Sequence, residues 1–170
     1  MATTKYLGTG EVISADFKTV KWVGKTKGGK AVTIELTNAI NMGNIDWTMA
    51  EKDDVVQSVE FQACYTNTDS ASADTTEPWS IETDNATTAG ASEIVLGAGV
   101  FYIGSTAVAL TRGGGQFTVE REFREINADG DRGAVKDRVV MESSRAKLTM
   151  NILTMLTRLT DIYAGIAASV

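Results

Sequence analysis

The residues best equipped for chemistry cluster in Leu110 to Gly133, LTRGGGQFTVEREFREINADGDRG. Three glycines could cradle a phosphate. A nucleotide-binding loop of that kind needs a lysine and a Ser or Thr after the glycines, then a helix. Here Gln116 follows, and then an alternating run, so a dinucleotide fingerprint fails as well. Gly113, Gly114 and Gly115 are expected to form a turn or bulge between paired strands, where glycine permits positive φ or close backbone approach. Asn127, Asp129 and Asp131 match the first three ligand positions of a calcium loop. Arg132 stands where that loop needs glycine, Arg138 where it needs glutamate, and no helix precedes it. Asp129-Gly130 reads instead as a chain-reversing turn.

Glu120 and Glu122 share one face of the same run, about 7 Å apart by strand rise. Paired carboxylates can do acid–base work. Arg121 and Arg124 interleave with them and with Glu125, which reads as a salt-bridged polar sheet face. The chain has no histidine. That removes the commonest general base and any His-dependent nucleophile system. The single cysteine, Cys64, allows no internal disulfide and reads as an inert thiol in a strand. No enzyme, cofactor or metal is expected from these residues.

The elements that carry them are mostly strands. The chain has 170 residues, 43% hydrophobic and 22% charged, which fits one globular domain with a sizeable core. No apolar run is long enough to span a bilayer as a helix, and Met1 to Lys5 show no secretion signal. The net charge of −6 arises in the first half: Met1–Asp84 hold 7 basic and 13 acidic residues, Asn85–Val170 hold 9 of each. Such acidity disfavours a grip on nucleic acid, which needs Lys and Arg to displace counterions.

Period-two runs appear at Phe17–Lys25 and Ala31–Leu36, joined by Thr26-Lys27-Gly28-Gly29, a hairpin signal. Ile45, Trp47 and Met49 alternate with polar residues. In Val55–Tyr65, Val55, Val59, Phe61, Ala63 and Tyr65 share one face. Two short strands are expected within Ile94–Leu110, around Gly104-Ser105, and a long one over Gln116–Ile126. In the long strand Phe117, Val119 and Phe123 oppose Thr118, Glu120, Glu122 and Arg124. Brief strands follow at Arg138–Met141 and Ala146–Met155. Leu159, Ile162, Tyr163 and Ile166 then take helical spacing, with Thr157 as N-cap. Thr66–Ser92 is long and polar, with Pro78-Trp79 as an ordered island and Asp84–Ser92 as a linker.

The stretch GVFYIGSTAVALTRGGGQFTVEREFREINADGDRGAVKDRVVMESSRAKLTMNIL, Gly99 to Leu153, resembles the major tail tube protein of long-tailed bacteriophages. GKAVTIELTNAINMGNIDWTMAEKDDVVQSVEFQACY, Gly29 to Tyr65, and the later EPW, Glu77 to Trp79, are similar to another segment of that family. In the family the TRGGG half precedes the EPW half. Here the order is reversed, so the resemblance implies a circularly permuted single domain over residues 1–170, joined at residues 84–92. Permutation requires ends that lie close together at the surface. Glu82 and Glu93 far apart would sink the idea.

The resemblance further implies a mainly β protein, a β-sandwich or barrel of tail tube type with one short flanking α-helix. It implies a homo-oligomer of stacked hexameric rings, a virion component assembled in the host cytoplasm. Tape-measure, tail terminator and distal tail proteins are the implied partners, with double-stranded DNA in non-specific transit and no membrane. Thr118, Glu120 and Glu122 are candidates for the lumen face. Glu51, Lys52, Asp53, Asp54 and Trp79 are candidates for ring-to-ring contacts. Two other readings stay open: the inner tube of a contractile injection system, and a β-sandwich carbohydrate- or protein-binding module that displays Trp22, Trp47 or Trp79 as a platform.

Overall fold

The computed structural model describes residues 3–47, 49, 54–66, 76–84, 90–108, 110–153 and 156–169. It is mainly β and antiparallel, with one short helix. The first hairpin forms as its pattern predicts. β2 (Lys18–Thr26) and β3 (Ala31–Ile40) pair antiparallel, Trp22 opposite Ile34. Gly29, at φ +83°, takes the left-handed turn position that side chains disfavour. β2 also pairs β6 (Val95–Ile103), which carries the two-residue β7 (Thr106–Ala107) on its other side. β5 (Trp79–Thr83) flanks the first half of β3, which gives the Pro78-Trp79 island its order.

Only Ala39 and Ile40 of β3 pair with β4 (Gln57–Ala63). Beyond that corner β4 pairs β9 (Val139–Ile152), and β9 pairs β8 (Thr111–Glu125). The order β7-β6-β2-β3-β4-β9-β8 is thus one bent sheet with β6–β7 at one end and β8 at the other. It folds over its own core. Val59 and Phe61 on β4, Leu148, Met150 and Ile152 on β9, and Val20 and Leu36 on β2 and β3 are all at most 2% exposed. Burying each such side chain contributes about 1.5–3 kcal/mol. Phe117 of β8 meets Trp79 of β5 at 5.8 Å between ring centroids, which ties the two halves together. Trp22 lies flat over Gly24 and Gly99, where any Cβ would overlap the indole.

Five expectations need correction. The strands read at Arg138–Met141 and Ala146–Met155 are one strand, β9, which runs unbroken through Glu142–Arg145. The helix is a single turn, α1 (Leu159–Ile162), preceded by a 3-10 turn at Leu156–Arg158. Thr157 lies inside that 3-10 turn; Arg158 occupies the N-cap and makes no side-chain cap bond. Gly165, at φ +69°, then breaks the helical path, and Ile166 enters β10 (Ile166–Ser169). Finally, the alternation at Ile45 and Trp47 forms no strand. Trp47 turns inward, and its Nε1 donates to Oε1 of buried Gln57 at 2.8 Å.

The remaining strand, β1 (Lys5–Gly8), had no clear period-two signal. It pairs antiparallel with β10 in a separate ribbon, Lys5 opposite Ser169. The first and last described segments therefore run side by side. Asp84 and Ser92 line one cavity beside the β2–β3 turn, where Gly28 N–H donates to the Ser92 carbonyl at 2.9 Å.

Candidate assembly surfaces

β8 and β9 outrun the rest of the sheet. β4 accompanies β9 only from Ile152 back to Lys147, while β8 continues with β9 as far as Glu125 opposite Val139. Beyond Val119 and Ala146 the pair is a two-stranded arm. Antiparallel alternation gives it two distinct faces. One carries Thr118, Glu120 and Glu122 opposite Lys147, Arg145 and Ser143. Thr118 is half-buried, and Glu120 and Glu122 are exposed. Ser143 Oγ donates to Glu122 Oε2 at 3.2 Å. Lys147 Nζ lies 3.3 Å from Glu60 Oε1, and Arg124 pairs with Glu142. Of the charges read as interleaving, Arg124 shares this face with Glu120 and Glu122, while Arg121 and Glu125 fall on the other; the further bases here, Arg145 and Lys147, come from β9. Acids and bases nearly balance across it.

The opposite face continues the core side of β8. Phe117 and Val119 pack against the core. Next along the same face come Arg121, Phe123 and Glu125. Glu142 is an extra residue on β9 between the Glu122–Ser143 and Phe123–Met141 pairs, a bulge of the kind that bends and twists a ribbon. Phe123 is 57% exposed, Met141 44% and Val139 47%. Beyond the body this face therefore presents an apolar patch of Phe123, Met141 and Val139, flanked by the charges of Arg121 and Glu125.

The arm's tip is the expected Asp129-Gly130 turn, with Gly130 at φ +95°. Asp131 is engaged within the loop. Its Oδ2 accepts the Ala128 N–H at 2.7 Å and sits 2.7 Å from Arg138 Nη1. Arg138, one of the two arginines that break the calcium motif, thus closes the loop. Among the described residues, no group of three or more Cys, Asp or Glu is placed to hold a metal ion. The three glycines form a bulge inside β8 and no turn: Thr111 opposes Ile152 and Gly115 opposes Met150, with Gly113 and Gly114 at φ +87° and +76°. Gly115 is needed for space, since a Cβ there would overlap the Thr149 carbonyl and the Phe101 ring.

At the other end of the sheet, β6 breaks the alternation. Val95 to Val100 are all exposed, on both faces of the strand. Between this strand and the start of β8 opens a cleft of about 410 Å3, lined by Trp22, Ile34, Gly99, Phe101, Phe117 and Leu148 among others. No charged side chain lines it. These two apolar surfaces, on β6 and under the arm, were not found by reading the sequence. Val95, Leu96 and Val100 read there simply as strand residues, and Phe123 as part of an apolar face.

The ring-contact candidates scatter. Glu51, Lys52 and Asp53 lie outside the described residues. Asp54 is exposed, with Oδ2 3.7 Å from Arg112 Nη1. Trp79 is half-buried on Phe117. None of the three tryptophans stands exposed as a platform: Trp22 is buried in the core cluster, and Trp47 and Trp79 are half-buried. Cys64 is half-buried just past the end of β4, and burial pushes its thiol pKa up, away from the reactive thiolate. No helix among the described residues is long and apolar enough to cross a membrane.

No protein-family model, curated protein or solved structure matches this chain.

Proposed function

We propose that the chain is a structural subunit that assembles with copies of itself into stacked hexameric rings, the tube of a noncontractile phage tail. The observation that carries this reading is the pair of unfinished surfaces at the two ends of the sheet. A two-stranded arm with an apolar underside is marginal alone. An exposed apolar end strand is a liability in a monomer. Two different patches on one chain make head-to-tail contacts, which close into rings when the rotation allows.

The pairing of β1 with β10 also supports the permuted order. β10 and β1 lie as two strands of a hairpin would, and Asp84 and Ser92 line one cavity, which a short bridge requires. In a tube, the polar arm face with Thr118, Glu120 and Glu122 is the proposed bore lining. Its near-balance of charge offers phosphates no net basic grip, so DNA slides through. Tape-measure, terminator and distal tail proteins would meet the tube, and the virion is its proposed location. The half-buried tryptophans give a glycan-binding module no exposed platform.

Negative-stain electron microscopy of the purified protein, with light scattering on the same sample, tests the reading. Rings or hollow tubes of uniform width are expected. A strict monomer at high concentration overturns it.

A further inference from the structure

The arm's underside and the β6–β8 cleft fit one another, and we infer that they are the two halves of one contact between copies. Phe123 of one copy, with Met141 beside it, seats in the uncharged cleft of the next. The inference rests on the self-assembly reading above and names the contact that would drive it.

Three observations carry it. First, Phe123 lies on the face of β8 that packs the core at Phe117 and Val119, yet it is 57% exposed. Its cross-strand partner Met141 is 44% exposed. The arm therefore presents an aromatic anchor aimed to the side that elsewhere is covered. Second, the cleft has an aromatic and aliphatic floor of Trp22, Ile34, Phe101 and Phe117, and its 410 Å3 leave room for a phenyl ring and a thioether. Its rim adds Val95 and Leu96, 52% and 44% exposed. Aromatic anchors in desolvated apolar pockets dominate the energy of protein contacts. Third, the charges agree. The cleft lining has none, while Arg121 and Glu125, two residues either side of Phe123, fall where a polar rim belongs. A charged or phosphate-bearing partner finds no counterpart in this cleft. A second copy supplies the matching anchor.

The contact also fixes which side of the arm faces away. With the underside against a neighbour, Glu120 and Glu122 point off the protein, which is the orientation that a bore-lining face needs. Anchor and cleft are separate stretches of the chain, Phe123 on the arm and Val95 to Phe101 with Thr111 to Phe117 around the cleft, so one copy offers a different patch to each neighbour. The contact is heterologous and propagates from copy to copy.

Two variants and their mixture test it. Phe123→Ala removes the anchor, and Ala98→Trp fills the cleft; both positions are exposed, so folding is checked by circular dichroism and thermal melting. Sedimentation velocity should show wild-type assemblies, and each variant alone as a monomer, with association at least about 30-fold weaker as expected for an aromatic anchor. An equimolar mixture should give dimers and nothing longer. The Ala98→Trp copy still has its anchor, the Phe123→Ala copy still has its cleft, and no further copy can add. Wild-type assembly by Phe123→Ala, or a mixture that stays monomeric, overturns this contact while leaving the tube reading in place. A monomeric wild type overturns both.

Discussion

β9 contains both regimes of this molecule in one unbroken strand. From Ala146 to Ile152 every second residue is buried: Ala146, Leu148, Met150 and Ile152. From Val139 to Glu142 all four residues are exposed. The partner strand β8 is the same throughout, apart from the bulge at Glu142. The difference is the third layer. The inner half has β4 beside it and the folded-over sheet beneath it, and the outer half has β8 alone. Strand period thus says which way a side chain points, and tertiary context says whether anything meets it there.

The sharpest way to break that contrast is to truncate matched methionines on the two halves. Met150 is 0% exposed and Met141 44%. Met150→Ala should cost about 2–5 kcal/mol of unfolding free energy, the range for large-to-small core changes. Met141→Ala should move the stability of the monomer by less than about 0.5 kcal/mol. Urea unfolding of both variants measures the difference. Similar losses would mean that the arm is covered within the same chain.

The glycines sharpen the contrast at the next level. Gly115→Ala drives a methyl into the Thr149 carbonyl and the Phe101 ring, so a loss of about 1–3 kcal/mol is expected from overpacking. Gly114→Ala meets open space, and its strain comes only from φ +76°, so about 1 kcal/mol is expected. If Gly114→Ala proves the worse of the two, the bulge, and not the close approach to Phe101, is what the glycines serve. A third level is polar. Gln57→Leu leaves the Trp47 Nε1–H without its acceptor, a loss of about 1–3 kcal/mol. At the arm tip, Asp131→Asn loses an ion pair at the surface and should cost at most about 1 kcal/mol. Its readout is local: faster hydrogen exchange at the Ala128 amide, with the body unchanged.

What could be read in advance follows the same division. The β2–β3 hairpin was legible because its alternation is regular and Gly28-Gly29 marks the turn. The long β8 strand and the opposed faces of Phe117 and Thr118 were legible for the same reason. The join across Glu142–Arg145 was not, because Glu-Ser-Ser-Arg offers no apolar side to count, although β8 supplies every ladder partner but one. The single helical turn was over-read. Leu159, Ile162 and Tyr163 are buried as helical spacing requires, but Ile166 reaches the core from a strand, past the kink at Gly165. Four positions cannot separate those two routes. The apolar underside of the arm lies beyond any reading of period, because Phe117 and Phe123 carry the same signal and differ only in what the fold places beneath them.

The smallest expected effect comes from two ionisable groups in the body. Burial raises the thiol pKa of Cys64 above its ordinary 9.0 and the phenol pKa of Tyr163 above 10.0. In both cases the native state holds a proton that the unfolded chain releases first. Unfolding then becomes easier as pH rises. The stability associated with each neutral group is intact below the unfolded pKa and is lost as pH climbs from there through the raised native value. Thermal melts should therefore be level with respect to these two groups up to about pH 9 and decline above it. Cys64→Ser should delay the onset toward pH 10, where Tyr163 alone remains. Alkylation of the Cys64 thiol in the native state should likewise be slower than that of a free cysteine peptide at the same pH. A Cys64 that reacts as fast as the free peptide would place that end of β4 with the arm, in solvent, and move the boundary between the two regimes inward.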